Sequence, residues 1–236
     1  MKNIPNLLTL GNVVAGTMAL YFISIQDGTG LATALIAAAI FDVLDGWAAR
    51  KIGISGELGK QLDSLADAIS FGATAGFLWS NIFNQIGHID QPWAIALGAM
   101  VTAASVMRLA RFNLDSSQKL DFKGMPTPAN ALFVLGIWAY FNKYEAWNWA
   151  LNLEPAEHNF LLASLLVTWA LSIWMLNSKV RVLSFKKNEN KRRSVAQWSL
   201  TIIFFGLLPK FGALSISIVV FLLPILSQIT LEKQKL

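Results

Sequence analysis

The sequence has no cysteine and only two histidines, and charged residues fill just 14% of its 236 positions. Each shortage excludes something. Without cysteine there is no thiol nucleophile, no disulfide and no cysteine-held metal. His88 and His158 both fall in predicted loops on one side, which leaves a histidine-built metal centre without a ligand set. Any metal must then be held by oxygen, and oxygen ligands select hard cations such as Mg²⁺ or Mn²⁺. Soluble domains carry about 25% charged residues, so the shortage of charge also argues against a soluble core.

Hydrophobic residues, at 55%, take the place of charge. Several apolar runs approach or exceed ~18 residues, the length of a membrane span. Eight spans are expected, at roughly 8–25, 31–50, 59–82, 93–113, 126–142, 159–176, 196–209 and 213–230. All should be helices, because lipid-exposed backbone must satisfy its own hydrogen bonds. The expected fold is thus an all-α integral membrane protein. The seventh span is short, and Pro209 and Gly212 break it from the eighth; these two could instead form a hairpin. The opening MKNIPNLLTLGNVV lacks the clean apolar core and cleavage site of a secretory signal. It is expected to be retained as a short interfacial helix leading into the first span. No internal repeat is apparent, and residues 1–236 read as one membrane domain.

Basic residues set the orientation. With the N-terminus in the cytoplasm, every lysine and arginine except Lys143 and Lys210 falls on the cytoplasmic side. Both termini are then inside, in the cell membrane, and the basic face meets membrane lipids. Nucleic acid is not an expected partner: the basic run KKNENKRR lies between spans without an aromatic stacking motif.

Four carboxylates stand out. A charged side chain within a span costs at least ~2.5 kcal/mol, yet Asp42 and Asp45 sit near the end of the second span and Asp63 and Asp67 near the start of the third. Asp42 and Asp45 are i, i+3, and Asp63 and Asp67 are i, i+4, so each pair shares a helical face. A short loop joins the helices, which places both pairs near the cytoplasmic boundary. Four ionised carboxylates would repel, and one or two divalent cations would neutralise them. Paired metals are a recurring device for displacement at phosphorus. Small residues, Gly46, Ala49 and Gly59, line the same faces and allow close approach, while Arg50 can fork onto a phosphate.

The stretch from Asp42 to Asp67 reads DxxDGxxARx₈GxxxDxxxD. It resembles the signature of the CDP-alcohol phosphatidyltransferases at all eight fixed positions. The flanks IPNLLTLGNVVAG and RLARFN…FKGMPTPA look like the phosphatidylserine synthase branch, so the resemblance runs over roughly the first 135 residues. It implies a six-helix catalytic core, here about 1–180, with two additional helices at about 196–230. It also implies two divalent ions (Mg²⁺ or Mn²⁺) held by Asp42, Asp45, Asp63 and Asp67, with Asp67 as general base. The implied substrates are CDP-diacylglycerol and L-serine, and a homodimer is implied as well. Gly46, Ala49 and Gly59 would make room for the nucleotide, Arg50 would contact phosphate, and Thr9 is a further nucleotide candidate. A Thr9 hydroxyl bonded to its own backbone is the competing reading.

For the acceptor, the inner loop supplies Arg108, Arg111 and Asn113, then Lys123 and Thr127. Arg108 and Arg111, at i, i+3, can face one pocket and clamp a carboxylate. Glycerol 3-phosphate or an inositol phosphate would be alternative acceptors, since the same cations could hold an extra phosphate. An intramembrane prenyltransferase would carry its aspartate motifs on separate helix pairs. A cation transporter would carry its acids near the midplane.

Overall fold

A computed structural model describes residues 3–53, 56–86, 89–114, 122–143, 152–182 and 191–232. The chain forms two compact units, Met1–Leu114 and Asp115–Leu236. Each predicted span falls on helix, and four helices are long and apolar enough to cross a membrane. The protein is an all-α membrane protein.

In the first unit, α1 (Ile4–Ser24) is one continuous helix with Pro5 in its first turn, so the expected interfacial helix and the first span are a single element. Proline is tolerated there because the first N–H groups of a helix have no intrahelical partner. The second helix, α2 (Gly28–Ile52), starts where the Asp27 carboxylate accepts from the backbone N–H of Thr29 (3.1 Å) and Gly30 (2.9 Å). It stops at Gly53, whose φ of 71° is left-handed. The third predicted span is α3 (Glu57–Asp67) running through a π-helical stretch, Ala68–Ala73, into α4 (Thr74–Ile86). The unit ends with α5 (Gln91–Leu114).

Contacts between the helices fix their relative directions. Thr9 meets Asp45, and a Cβ on Gly11 would lie 3.1 Å from the Phe41 ring, so α1 and α2 are antiparallel. A Cβ on Gly59 would lie 3.7 Å from Asn6, and one on Gly16 would overlap Ser70, so α1 runs parallel to the α3–π–α4 rod. Gly76 and Gly98 touch backbone to backbone, which closes α4 onto α5. Small residues are buried (Ala15, Ala19, Ala34, Ala38), while Val14, Met18, Ile36 and Ile40 point outward. That arrangement suits lipid, where close helix packing and not hydrophobic expulsion holds the bundle. Trp79 is fully buried and stacked on Phe83 with ring centroids 5.4 Å apart.

The second unit comprises α6 (Thr127–Lys143), α7 (Pro155–Asn177), α8 (Lys191–Phe211) and α9 (Leu214–Glu232). Buried polar contacts join them. Ser172 donates to the Asn130 side chain (2.6 Å), and Ser217 donates to the Phe133 carbonyl (2.6 Å). Pro209 does not end α8; the helix runs to Phe211 and turns at Gly212, whose φ is 53°. A proline in a last turn removes one hydrogen bond without stopping the helix. One feature has no counterpart in the eight-helix reading: a two-residue antiparallel ribbon, β1 (Phe122–Lys123) against β2 (Arg181–Val182). Next to it Gly124, at φ 76°, donates to the Val180 carbonyl (2.8 Å), and a side chain there would run into the Leu176 carbonyl.

Candidate active site

The signature residues lie on α2 and α3. Asp42, Asp63 and Asp67 each present a carboxylate oxygen within 4.8 Å of the others. Antiparallel α1–α2 and parallel α1–α3 contacts bring the two pairs to one depth, as their spacing requires. Asp45 turns to a different partner. Its Oδ2 accepts from the Thr9 hydroxyl at 2.6 Å. The Pro5 carbonyl also lies 3.0 Å from that hydroxyl. The single proton goes to the closer, charged acceptor. Thr9 thus lies within reach of its own backbone and of Asp45, and it also lines a cavity.

A cavity of about 580 Å³ opens beside the carboxylates. Thr9, Asp45, Gly46, Ala49, Gly59 and Asp63 line it, which gathers four of the five proposed nucleotide residues around one space. The fifth, Arg50, is exposed and folds back so that its Nη1 would lie 3.3 Å from a Cβ on Gly46. A Cβ on Gly59 meets nothing closer than Asn6 Oδ1 at 3.7 Å. Packing within the protein therefore does not require glycine there; the space belongs to the cavity. A Gly59→Leu variant should keep its melting temperature in detergent and raise the CDP-diacylglycerol KM by about tenfold or more, as a side chain fills nucleotide space. An unchanged KM would show that the nucleotide lies elsewhere. Asn6, Glu57 and Lys60 also line the cavity and were not singled out from the sequence. Asn6 stands in the opening motif and Lys60 directly after the signature glycine, which was the available signal.

The basic candidates separate. Arg108 is buried on α5 and interacts electrostatically with Asp67. Arg111 is exposed. Asn113 is committed within the protein: its Nδ2 donates to Ser64 Oγ (2.8 Å), and Lys60 donates to its carbonyl. Lys123 and Thr127 belong to the second unit, Lys123 exposed in β1 and Thr127 fully buried at the start of α6.

The carboxylate group suits a divalent cation. All its donors are oxygen, three anionic groups converge, and Asp67 Oδ1 is buried with no hydrogen-bond partner. A hard divalent ion supplies the charge and the coordination that this set lacks.

Similarity to known proteins bears on the same residues. A family profile described as CDP-alcohol phosphatidyltransferase matches residues 2–176. The CDP-diacylglycerol–serine O-phosphatidyltransferase of Mycobacterium leprae is 32% identical over 193 residues, covering 78% of this chain and 57% of that protein. The Helicobacter pylori (strain 26695) protein of the same name is 27% identical over 206 residues, covering 86% and 78%. The archaetidylserine synthase of Methanothermobacter thermautotrophicus is 34% identical over 135 residues, covering 56% and 55%. The match thus spans little more than half of two of these relatives. The profile nevertheless takes in every helix that builds the carboxylate cluster and its cavity, and extends over well more than half of the sequence; the chain belongs to the CDP-alcohol phosphatidyltransferase family.

Proposed function

We propose that the chain transfers the phosphatidyl group of CDP-diacylglycerol to L-serine, forming phosphatidylserine and releasing CMP. The observation that carries this reading is the cluster of Asp42, Asp63 and Asp67 beside a cavity lined by Asp45, Gly46, Ala49 and Gly59 of the same signature. The three similar proteins described above all have serine in their names, which supports serine as the acceptor.

Asp42, Asp63 and Asp67 would hold a divalent cation, Mg²⁺ or Mn²⁺, and Asp45, on the cavity wall with Asp63, would serve a second. Such ions, when bound, neutralise the carboxylates and polarise the phosphorus–oxygen bonds of the pyrophosphate. The chain's own residues do the rest. Gly46, Ala49 and Gly59 leave room for the nucleotide, and Thr9 fixes the Asp45 carboxylate. Asp67 Oδ2 takes the proton of the serine hydroxyl as its oxygen bonds to the lipid-bearing phosphorus. The bond from that phosphorus to the CMP oxygen breaks, and CMP departs with the electron pair. A carboxylate is a weak base, so placement matters more than basicity. Arg108 puts a cation beside that base, where a serine carboxylate needs one. The bias of basic residues orients this site towards the cytoplasm.

Purified protein given CDP-diacylglycerol and one alcohol at a time tests the acceptor. Serine-dependent CMP release is expected. CMP release with glycerol 3-phosphate but not with serine overturns the choice of acceptor and leaves the transfer chemistry in place.

A further inference from the structure

Asn12 is fully buried on α1, yet neither its Nδ2 nor its Oδ1 has a hydrogen-bond partner. Leaving a buried polar group unpaired is costly, and native interiors leave few. Nothing in the signature or in the proposed transfer chemistry uses this residue.

Its position follows from the helix registers. Along the parallel helices, Asn6 lies against Gly59 and Gly16 against Ser70, so Asn12 falls level with residues near Asp67. The Asn12 carbonyl accepts from Ser70 Oγ at 2.9 Å, one turn beyond Asp67, which locks that level. Along the antiparallel helices, Thr9 meets Asp45 and Gly11 meets Phe41, which puts Asn12 level with Asp42. One face of α1 therefore presents two neutral donors one turn apart. The first, Thr9, already holds a carboxylate. The second, Asn12, stands at the level of the cluster, where Asp67 Oδ1 is a buried acceptor that also lacks a hydrogen bond. The two groups are chemically complementary, an amide donor and a carboxylate acceptor, each buried and each without a partner.

We propose that Asn12 is a positioning residue for the metal cluster: its Nδ2–H donates to Asp67 Oδ1 when a divalent cation gathers the carboxylates, and fixes the rotation of Asp67. Oδ2 is then left to face the cation and the acceptor hydroxyl. Carboxylates that ligate metals are themselves held by hydrogen bonds, and losing such a partner typically costs 10–100-fold in metal affinity. This inference rests on the divalent-cation reading of the site.

The test is Mn²⁺ binding to full-length wild-type and Asn12→Leu protein in detergent, read by electron paramagnetic resonance without substrate, together with melting temperature with and without the ion. Asn12→Leu should bind Mn²⁺ roughly 10–100-fold more weakly and lose most of the metal-induced rise in melting temperature. Without metal it should melt no lower than wild type, because the amide it removes is unpaired in that state. A Thr74→Val control removes a buried hydroxyl that likewise lacks a partner, beyond the level of the cluster, and should bind Mn²⁺ as wild type does. Equal Mn²⁺ affinity in Asn12→Leu and wild type overturns the inference. So does equal weakening in Thr74→Val, and so does a metal-free Asn12→Leu protein that melts below wild type or fails to fold. Wild-type protein that binds no Mn²⁺ overturns the divalent-cation reading itself, which keeps the two failures apart.

Discussion

Asp67→Asn protein, saturated with metal, should release CMP roughly 10²–10⁴-fold more slowly than wild type, the range that a positioned general base contributes. Asparagine keeps the shape and one coordinating oxygen but cannot take the serine proton. The cavity is lined by other residues, so the variant should still bind CDP-diacylglycerol with near-normal affinity. A rate within tenfold of wild type would remove Asp67 from the proton transfer. Absence of CMP from both proteins would instead fit a carboxylate-lined cation pathway.

The second large effect comes from the metal. Asp63→Ala, or chelation of the wild-type protein, should lower turnover by at least about 10³. Charge stabilisation by a bound ion is worth several kcal/mol, and each 1.36 kcal/mol is tenfold in rate. Mg²⁺ or Mn²⁺ should restore the chelated wild type and not the variant. Stability should move the opposite way. Three carboxylates with oxygens within 4.8 Å repel when no cation lies among them, so metal-free Asp63→Ala should melt above metal-free wild type. That result would mean that activity is kept at the expense of metal-free stability. Full activity after exhaustive chelation would remove the metal from the mechanism.

The reach of the sequence reading depends on what helical spacing encodes. Spacing fixes a face, so the convergence of Asp42, Asp63 and Asp67 was legible from i, i+3 and i, i+4 pairs on neighbouring helices. It does not fix which way a carboxylate turns on that face. Asp45 shares the face of Asp42 and yet bonds Thr9, a choice made by α1, 36 positions away in sequence. Asn113 is an acceptor candidate by sequence; the structure adds what the sequence does not reveal, that its side chain donates to Ser64 and its backbone carbonyl accepts from Lys60. The β1–β2 ribbon is only two residues on each side, too short for any alternating pattern to reveal. The apolar spans were the most legible part, because bilayer thickness sets their length independently of tertiary contacts.

The wide turn at Ala68–Ala73 separates two tasks along one rod. Upstream, Asp63 and Asp67 turn to the carboxylate cluster; downstream, Leu78, Trp79, Ile82 and Phe83 turn to the interior. In an unbroken α-helix, every residue added or removed swings all that follows by about 100°, so the two sets would be tied to one angular phase. A π-helical turn works as a splice that absorbs an extra residue. The carboxylate end and the packing end of the rod can then each hold their own angle, and selection on one leaves the other undisturbed.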